Sequence, residues 1–222
     1  YQKEIELSES YSRFVPFETL KLLNYKSIFD VKLGDYVDQD VAIMFSDIRG
    51  FTALGETMSP SDILKFLNSY YARLSPIIKQ HRGTIDKYMG DGVMAIFPTA
   101  EFALAAAVDI QRALFRYNLE HRVGSRTPVR AGVGVATGRV VFGPLGSDKR
   151  LELTAIADTV NVASRLDGLC RETGQNIMIT GIEQSLLERQ KHLDFTSLQP
   201  LKVKGRAGDV RVIAVNDNAF FD

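Results

Sequence analysis

Apolar residues in the first half of the chain alternate between short runs typical of buried strands and a longer stretch with helical spacing. The run Val41–Phe45 is continuous and rich in strand formers, and the polar sequence Ser46–Gly50 ends it. Beyond Ser59-Pro60, apolar residues recur at three- and four-residue intervals as far as His81, which predicts a long amphipathic helix. Two further strand-like runs flank Gly90-Asp91-Gly92, a sequence typical of a tight hairpin turn.

The second half extends this order of elements. A helical pattern from Phe102 to Tyr117 is followed by strand runs over Val129–Thr137 and Val140–Phe142. The order βαββαβ predicts an α+β fold of the ferredoxin-like, split βαβ type, in which an antiparallel sheet carries its helices on one face. The C-terminal αβ additions are predicted as a helix over 158–170 and strands over 177–180 and 210–215.

The chain divides into a lead-in and one large domain. Residues 1–34 mix charges with scattered apolar residues and are interpreted as a linker, whereas residues 35–222 carry the predicted elements. Because the chain starts at Tyr1 instead of Met and shows no signal-like apolar segment, we expect it to be a piece of a longer protein.

The amino-acid composition excludes some classes of function. The 27 basic and 27 acidic residues leave no net positive field to recruit nucleic acid, and 45% hydrophobic residues are typical of a globular domain. A single Cys170 fits a reducing compartment, and no run approaches the roughly 20 apolar residues of a membrane span. We expect a cytoplasmic location, or the cytoplasmic face of a membrane if the full-length protein is anchored.

Two aspartates are the first candidates for chemistry. Asp47 follows the first strand and Asp91 lies on the hairpin turn, and in a split βαβ sheet these strands are neighbours. Converging carboxylates suit Mg²⁺ or Mn²⁺, and two such ions can clamp a phosphoryl or nucleotidyl transfer. The alternative is structural, with Asp47 capping the next helical turn and Asp91 serving only as a hairpin residue.

Basic and polar residues elsewhere are candidates for binding an anion. The segment Ile48–Thr52 leads into a helix start, where main-chain N–H groups can hold phosphates, or it is an ordinary turn. Arg130 begins an apolar strand, and Lys204 lies in a basic turn. Asn161 and Arg165 are four residues apart on the polar face of a predicted helix, where an arginine is ordinarily just a solvated charge.

Three motifs together resemble the class III nucleotidyl cyclase catalytic domain. They are Phe45–Thr52, Asp86–Asp91 and Thr159–Arg165, in that order along the chain. The resemblance runs from about Val37 to Val215, and Arg13–Pro16 resembles the lead-in of bacterial, especially cyanobacterial, members. It implies the class III cyclase fold.

The resemblance implies that one protomer contributes the metal and phosphate groups. Asp47, Asp91 and the carbonyl of Ile48 would hold two divalent ions, Mg²⁺ or Mn²⁺, with Ca²⁺ as an alternative at one site. The triphosphate would be gripped by the loop that includes Gly50, Phe51 and Thr52, together with Arg130.

The family works as a head-to-tail homodimer, so the partner protomer would complete each site. Lys87 and Thr154 would read the base, Asn161 would orient the ribose, Arg165 would stabilise the transition state and Lys204 would bind the terminal phosphates. The resemblance therefore implies formation of 3′,5′-cyclic AMP and pyrophosphate from ATP, by attack of the ribose 3′-OH on the α-phosphate, in intracellular signalling.

The base-reading pair favours ATP over GTP. The pair Lys87 and Thr154 resembles that of adenylyl cyclases, and guanylyl cyclases typically carry Glu with Cys. A lysine donates to the N1 acceptor of adenine, whereas a carboxylate suits guanine better. Thr154 in place of Asp resembles a bacterial subgroup associated with bicarbonate or CO₂, which makes bicarbonate a candidate activator and upstream regulatory domains expected partners.

Three rival functions stay open at the level of sequence. A guanylyl or dual-substrate cyclase is opposed by Lys87. A cyclase-shaped module that binds nucleotide without turnover is opposed by the complete set of motif residues. A polymerase palm pairs carboxylates on a similar fold, but the chain shows no basic nucleic-acid track.

Overall fold

The computed structural model of the 222-residue chain describes residue 25 and residues 30–120, 128–147, 150–202 and 209–217. Lys204 and the Arg13–Pro16 segment lie outside the described residues. None of the helices in these ranges is long and apolar enough to span a lipid bilayer.

The described residues form one eight-stranded sheet and five helices. The strands are β1 (Val37–Ile48), β2 (Thr84–Met89), β3 (Gly92–Phe97), β4 (Ala131–Ser147), β5 (Arg150–Ile156), β6 (Ile177–Thr180), β7 (Leu193–Ser197) and β8 (Ile213–Asp217). The helices are α1 (Phe51–Glu56), α2 (Pro60–Gln80), α3 (Ala100–Glu120), α4 (Asp158–Thr173) and α5 (Gln184–Arg189).

The sheet order is β2-β3-β1-β4-β6-β8-β7, with β5 pairing onto β4. All of these pairs are antiparallel except β4 with β6. The predicted α+β fold with an antiparallel-dominated sheet is therefore confirmed. Because β1 pairs with β3 with Ser46 opposite Val93, the end of β1 lies beside the turn that carries Asp91.

Strand β1 is buried on both faces, which explains its continuous apolar run. Ala42 and Met44 pack into the core beneath α2 and α3, whereas Val41 and Ile43 face a second core. Helix α4 covers this second core with Ala163, Leu166 and Cys170, among others. The helices of the split βαβ unit thus share one face, as predicted, and α4 covers the opposite one.

Helix α2 has the start signals expected from its sequence. Ser59 caps it, because its hydroxyl oxygen accepts a hydrogen bond of 3.2 Å from the Asp62 main-chain N–H, and Pro60 occupies the first turn. The helix continues through Pro76, with Tyr70, Leu74 and Ile78 buried. With this face buried, the neighbouring Tyr71 lies beside the turn between β2 and β3.

Strand β4 is longer than predicted. The sequence pattern indicates two runs separated by Gly138-Arg139, but the structure has one continuous strand from Ala131 to Ser147. Gly138 and Arg139 stay in the ladder because β1 pairs with them, opposite Val41 and Asp40. The remainder of β4 pairs with β5, a strand that the pattern did not predict, and α5 and β7 were also missed.

Tight packing of α4 on β4 requires glycine at position 134. A Cβ added to Gly134 would overlap the backbone of Ala163 and Asp167. In α4 itself, a Cβ added to Gly168 would meet no atom within 4 Å. A substitution at Gly168 is therefore a suitable control for the same substitution at Gly134.

We expect Gly134→Ala to lower the free energy of unfolding by about 1–3 kcal/mol, because the helix must move to accommodate the methyl group. Gly168→Ala should leave stability unchanged or raise it by up to about 1 kcal/mol, since alanine is the better helix former. Urea unfolding of the two variants beside the wild type measures this difference, and equal effects would contradict the packing account.

Candidate active site

Asp47 and Asp91 meet at one end of the sheet. Asp47 is the penultimate residue of β1, and Asp91 lies in the turn between β2 and β3. Burial raises the pKa of Asp91 to about 7, helped by a hydrogen bond with the Asp47 carboxyl and by the charge of Asp47. The sheet thus holds the two carboxyl groups close together.

The contacts of Asp47 fit a cation. Its Oδ2 accepts a hydrogen bond of 2.6 Å from Nη2 of Arg171, and its Oδ1 is buried without a hydrogen-bond partner. Among the described residues, no group of three or more His, Cys, Asp and Glu side chains has metal-ligand spacing. The candidate metal site consists of two carboxylates and a main-chain carbonyl, an all-oxygen donor set that suits Mg²⁺ or Mn²⁺.

Asp167 is a third carboxyl group near this site, and the sequence analysis missed it. It belongs to α4, is buried, and its Oδ1 has no hydrogen-bond partner. Burial and the nearby charge of Asp47 raise its pKa to about 6. A signal was present in the sequence, because Asp167 lies four residues from Ala163 on the buried face of α4, where an acid is unusual.

Tyr71 of α2 holds the turn that carries Asp91. Its hydroxyl lies 2.5 Å from the carbonyl oxygen of Gly90 and 3.1 Å from that of Gly92, and its ring packs against Tyr88 at 4.2 Å. Burial and the charge of Asp91 raise the pKa of Tyr71 to about 12, so the hydroxyl stays a donor at neutral pH. Tyr71 was not singled out as a functional residue from the sequence.

The predicted phosphate loop lies directly after Asp47. Gly50 has a φ of 69°, which places the chain in the left-handed region just before α1 begins at Phe51. The Arg49 N–H donates to the carbonyl of Arg130 at 2.8 Å, so Arg130 is brought to the loop at the start of β4. The N–H groups in the first turn of a helix have no partner within the helix, and this leaves those of Phe51 and Thr52 suited to an anion.

The predicted base-reading pair also comes together within one chain. Nζ of Lys87 on β2 lies 3.5 Å from the hydroxyl of Thr154 on β5. The ammonium also contacts the carboxylates of Glu152 at 2.5 Å and Asp86 at 3.7 Å. Burial lowers the pKa of Lys87, but the two carboxylates outweigh it, so the net shift is upward and the ammonium remains charged.

Glu152 and Asp86 were not predicted as site residues. Glu152 lies two residues before Thr154 on β5, so the two side chains share one side of the strand. β5 was not predicted from the sequence, although the alternation of Leu151 and Leu153 with Glu152 and Thr154 was a signal for it.

Asn161 and Arg165 lie away from the carboxylates of their own chain. Both are exposed on α4, and Arg165 makes no hydrogen bond or ion pair to any other described residue. The end of α4 that reaches Asp47 is at Arg171, ten residues or about 15 Å along the helix axis from Asn161. Each chain thus presents two separate groups of candidate residues.

A family model for the adenylate and guanylate cyclase catalytic domain matches residues 35–216. The chain belongs to this cyclase family. An adenylate cyclase of Anabaena cylindrica is 35% identical over 217 residues, covering 93% of this chain and 43% of the relative. The chain therefore spans less than half the length of that relative.

Solved cyclase structures share the fold. A bacterial light-regulated adenylyl cyclase superposes with a TM-score of 0.78 at 27% identity, covering 97% of this chain and 62% of that one. The guanylyl cyclase Cya2 superposes with a TM-score of 0.63 at 30% identity, covering 81% and 92% of the two chains. Cyclases of both base specificities are thus similar to this domain, and its own residues must distinguish between them.

The upward shift of the Asp91 pKa predicts a pH-dependent stability. Since the folded carboxyl has a pKa of about 7 against 3.8 in the unfolded chain, its stabilising effect is complete below about pH 4 and is lost as the pH rises through 7. We expect Asp91→Asn to flatten the fall in unfolding free energy between pH 5 and 8, measured with urea in the presence of a chelator. Asp194→Asn, at an exposed position on β7, should keep the wild-type slope. An unchanged slope in Asp91→Asn would contradict the assignment.

Proposed function

We propose that this domain is an adenylyl cyclase, converting ATP to 3′,5′-cyclic AMP and pyrophosphate. The observation that carries the proposal is the contact between Lys87 and Thr154. In the same domain, Asp47 at the end of β1 lies beside Asp91. The first pair is suited to an adenine base, and the second to the metal ions of a nucleotidyl transfer.

Asp47, Asp91 and the carbonyl of Ile48 would hold two divalent ions, Mg²⁺ or Mn²⁺, with Ca²⁺ as an alternative at one site. When bound, the ions would lower the pKa of the ribose 3′-OH and neutralise charge on the leaving pyrophosphate. The buried Oδ1 of Asp47, which has no hydrogen-bond partner, and the negative charge of Asp47 beside Asp91 support this assignment, because both features favour a bound cation.

The triphosphate would lie along the start of α1. The main-chain N–H groups of Gly50, Phe51 and Thr52 would donate to phosphate oxygens, and Arg130 would add a guanidinium. The bond that joins Arg49 to Arg130 supports this arrangement, since it holds the arginine beside the loop. Lys204 would bind the terminal phosphates.

Lys87 would donate to N1 of adenine, and Thr154 would accept from its N6 amine. The charge on Lys87 supports this selection, because Glu152 and Asp86 keep the ammonium protonated and fill the positions around it with acceptors. Guanine presents an N1–H where adenine presents an acceptor, so a lysine cannot pair with it in the same way.

The active sites would be shared across a head-to-tail homodimer. The exposure of Asn161 and Arg165 supports sharing, because these residues would reach the ribose and the transferring phosphate only from a second copy. Apolar side chains on the β4–β5 hairpin provide a surface for contact, since Leu145 and Ile156 are 58% and 56% exposed. A C₂ dimer would create two equivalent sites.

Regulation is part of the same proposal. Thr154 of the base-reading pair relates the domain to cyclases that respond to bicarbonate or CO₂. Regulatory domains in the full-length protein would supply the input signal for intracellular signalling. Two rivals are retained as outcomes of the tests: a guanylyl cyclase, and a nucleotide-binding module without turnover.

Turnover of ATP and GTP, measured side by side with Mg²⁺ and Mn²⁺ and with or without bicarbonate, tests base selection. We expect kcat/KM to favour ATP and Lys87→Met to lower that preference by about tenfold or more, because a charged hydrogen-bond donor is lost. Lys191→Met, at an exposed position, is the matched control. Cyclic GMP as the main product would support the guanylyl cyclase, and no product from folded dimer would support the silent module.

Mixing two inactive variants tests whether the site is shared. Asp47→Ala removes a metal ligand and Arg165→Ala removes the proposed partner-derived arginine, so a heterodimer of the two variants retains one intact site. We expect each variant alone to be inactive and the mixture to recover up to about a quarter of wild-type activity, from random pairing with one site in two intact. Differently tagged chains would confirm mixing, and no recovery from confirmed heterodimers would contradict a shared site.

A further inference from the structure

The positively charged side chain of Arg171 forms an ion pair with Asp47, the carboxylate proposed above to bind metal. It lies in the last turn of α4, and its Nη2 donates to Oδ2 of Asp47 at 2.6 Å. The Arg171 side chain is 59% exposed, whereas that of Asp47 is only 28% exposed. An exposed cation therefore contacts one oxygen of a carboxylate whose other oxygen is buried.

The charge of Arg171 acts on all three acids of the cluster. Arg171 forms an ion pair with Asp47, and its positive charge also interacts with Asp91 and Asp167. Arg49 is the other nearby arginine, but its guanidinium donates to the main-chain carbonyls of Gly174 and Gln175. Arg171 is thus the arginine that contacts Asp47 among the described residues.

We propose that Arg171 is a positioning residue that occupies the cation position on Asp47 until a divalent ion replaces it. This inference rests on the proposed function, because it takes Asp47 to be a metal ligand. The guanidinium and a metal ion would compete for the same accessible oxygen, and their charges repel each other. Metal binding becomes an exchange of cations, and the affinity of the site for metal is lower than the carboxylates alone would give it.

Because Arg171 is exposed, its withdrawal from Asp47 costs little free energy. An exposed ion pair contributes little to stability, and withdrawal of the side chain into solvent opens no cavity in the core. Without metal, the arginine reduces repulsion among three neighbouring carboxyl groups. With metal, the same charge is displaced from Asp47. Arg171 therefore reduces the destabilising repulsion in the metal-free site and also lowers the affinity of the site for metal.

Titration of the full 222-residue chain with Mn²⁺, followed by electron paramagnetic resonance of the free ion, tests the proposal without measuring activity. We expect Arg171→Gln to bind Mn²⁺ about three- to tenfold more tightly than the wild type, the range expected for loss of a competing exposed ion pair and its repulsion. Arg189→Gln, at an exposed position on α5, removes the same charge elsewhere and should bind as the wild type does.

The Asp47→Asn variant separates this inference from the function on which it rests. We expect it to lose tight Mn²⁺ binding. If Asp47→Asn binds less Mn²⁺ but Arg171→Gln binds no more tightly than the wild type, the exchange role of Arg171 is wrong and the metal site stands. If Asp47→Asn binds as the wild type does, both assignments are wrong.

Urea unfolding in a chelator provides a second readout that does not depend on metal affinity. Without metal, Arg171→Gln should unfold at a slightly lower urea concentration than the wild type, because the attractive ion pair with Asp47 is lost. Saturating Mn²⁺ should remove that difference. A variant at least as stable as the wild type under chelation would overturn the proposal.

Discussion

The candidate site depends on the burial of β1 from both sides. One face of the strand packs beneath α2 and α3, and the other packs against α4. A strand held between two cores cannot shift its register without moving apolar side chains to the wrong face. Asp47 is therefore held at the exit of β1, opposite the start of β3, where Asp91 is its neighbour.

That rigidity concentrates negative charge in a partly dry environment. Burial and the charge of Asp47 disfavour ionisation of Asp91 and Asp167, and the positive charge of Arg171 opposes this effect at both residues. Sites that bind cations commonly keep such locally unfavourable arrangements, since relieving them would remove the binding energy. The close approach of α4 at Gly134 belongs to the same arrangement, because it brings Asp167 and Arg171 to β1.

The second group of residues shows a different balance. Lys87 is surrounded by acceptors from β2 and β5, and these contacts keep its charge despite partial burial. Asn161 and Arg165 have the opposite character, because they face solvent on α4. One chain therefore brings Lys87 to Thr154 and Asp47 to Asp91, whereas its Asn161 and Arg165 remain exposed.

Local patterns in the sequence were sufficient for most of the central elements. Apolar periodicity predicted β1, α2, the β2–β3 hairpin and α3, because each depends on spacing within a few residues. The convergence of Asp47 and Asp91 also followed, since the split βαβ order makes their strands neighbours. The strand β5 did not follow, although Leu151 and Leu153 alternate with Glu152 and Thr154, because the run is short and pairing with β4 stabilises it.

The split βαβ core, the aspartate pair and the residues that match the cyclase motifs follow from the sequence alone. Their surroundings depend on how the elements pack: Tyr71 holds the turn of Asp91, Glu152 reaches Lys87, and Asp167 and Arg171 join the carboxylates. These contacts span long distances along the chain. Periodicity reports which face of an element is buried, whereas these contacts join residues from separate elements and exist only after the sheet and α4 have packed together.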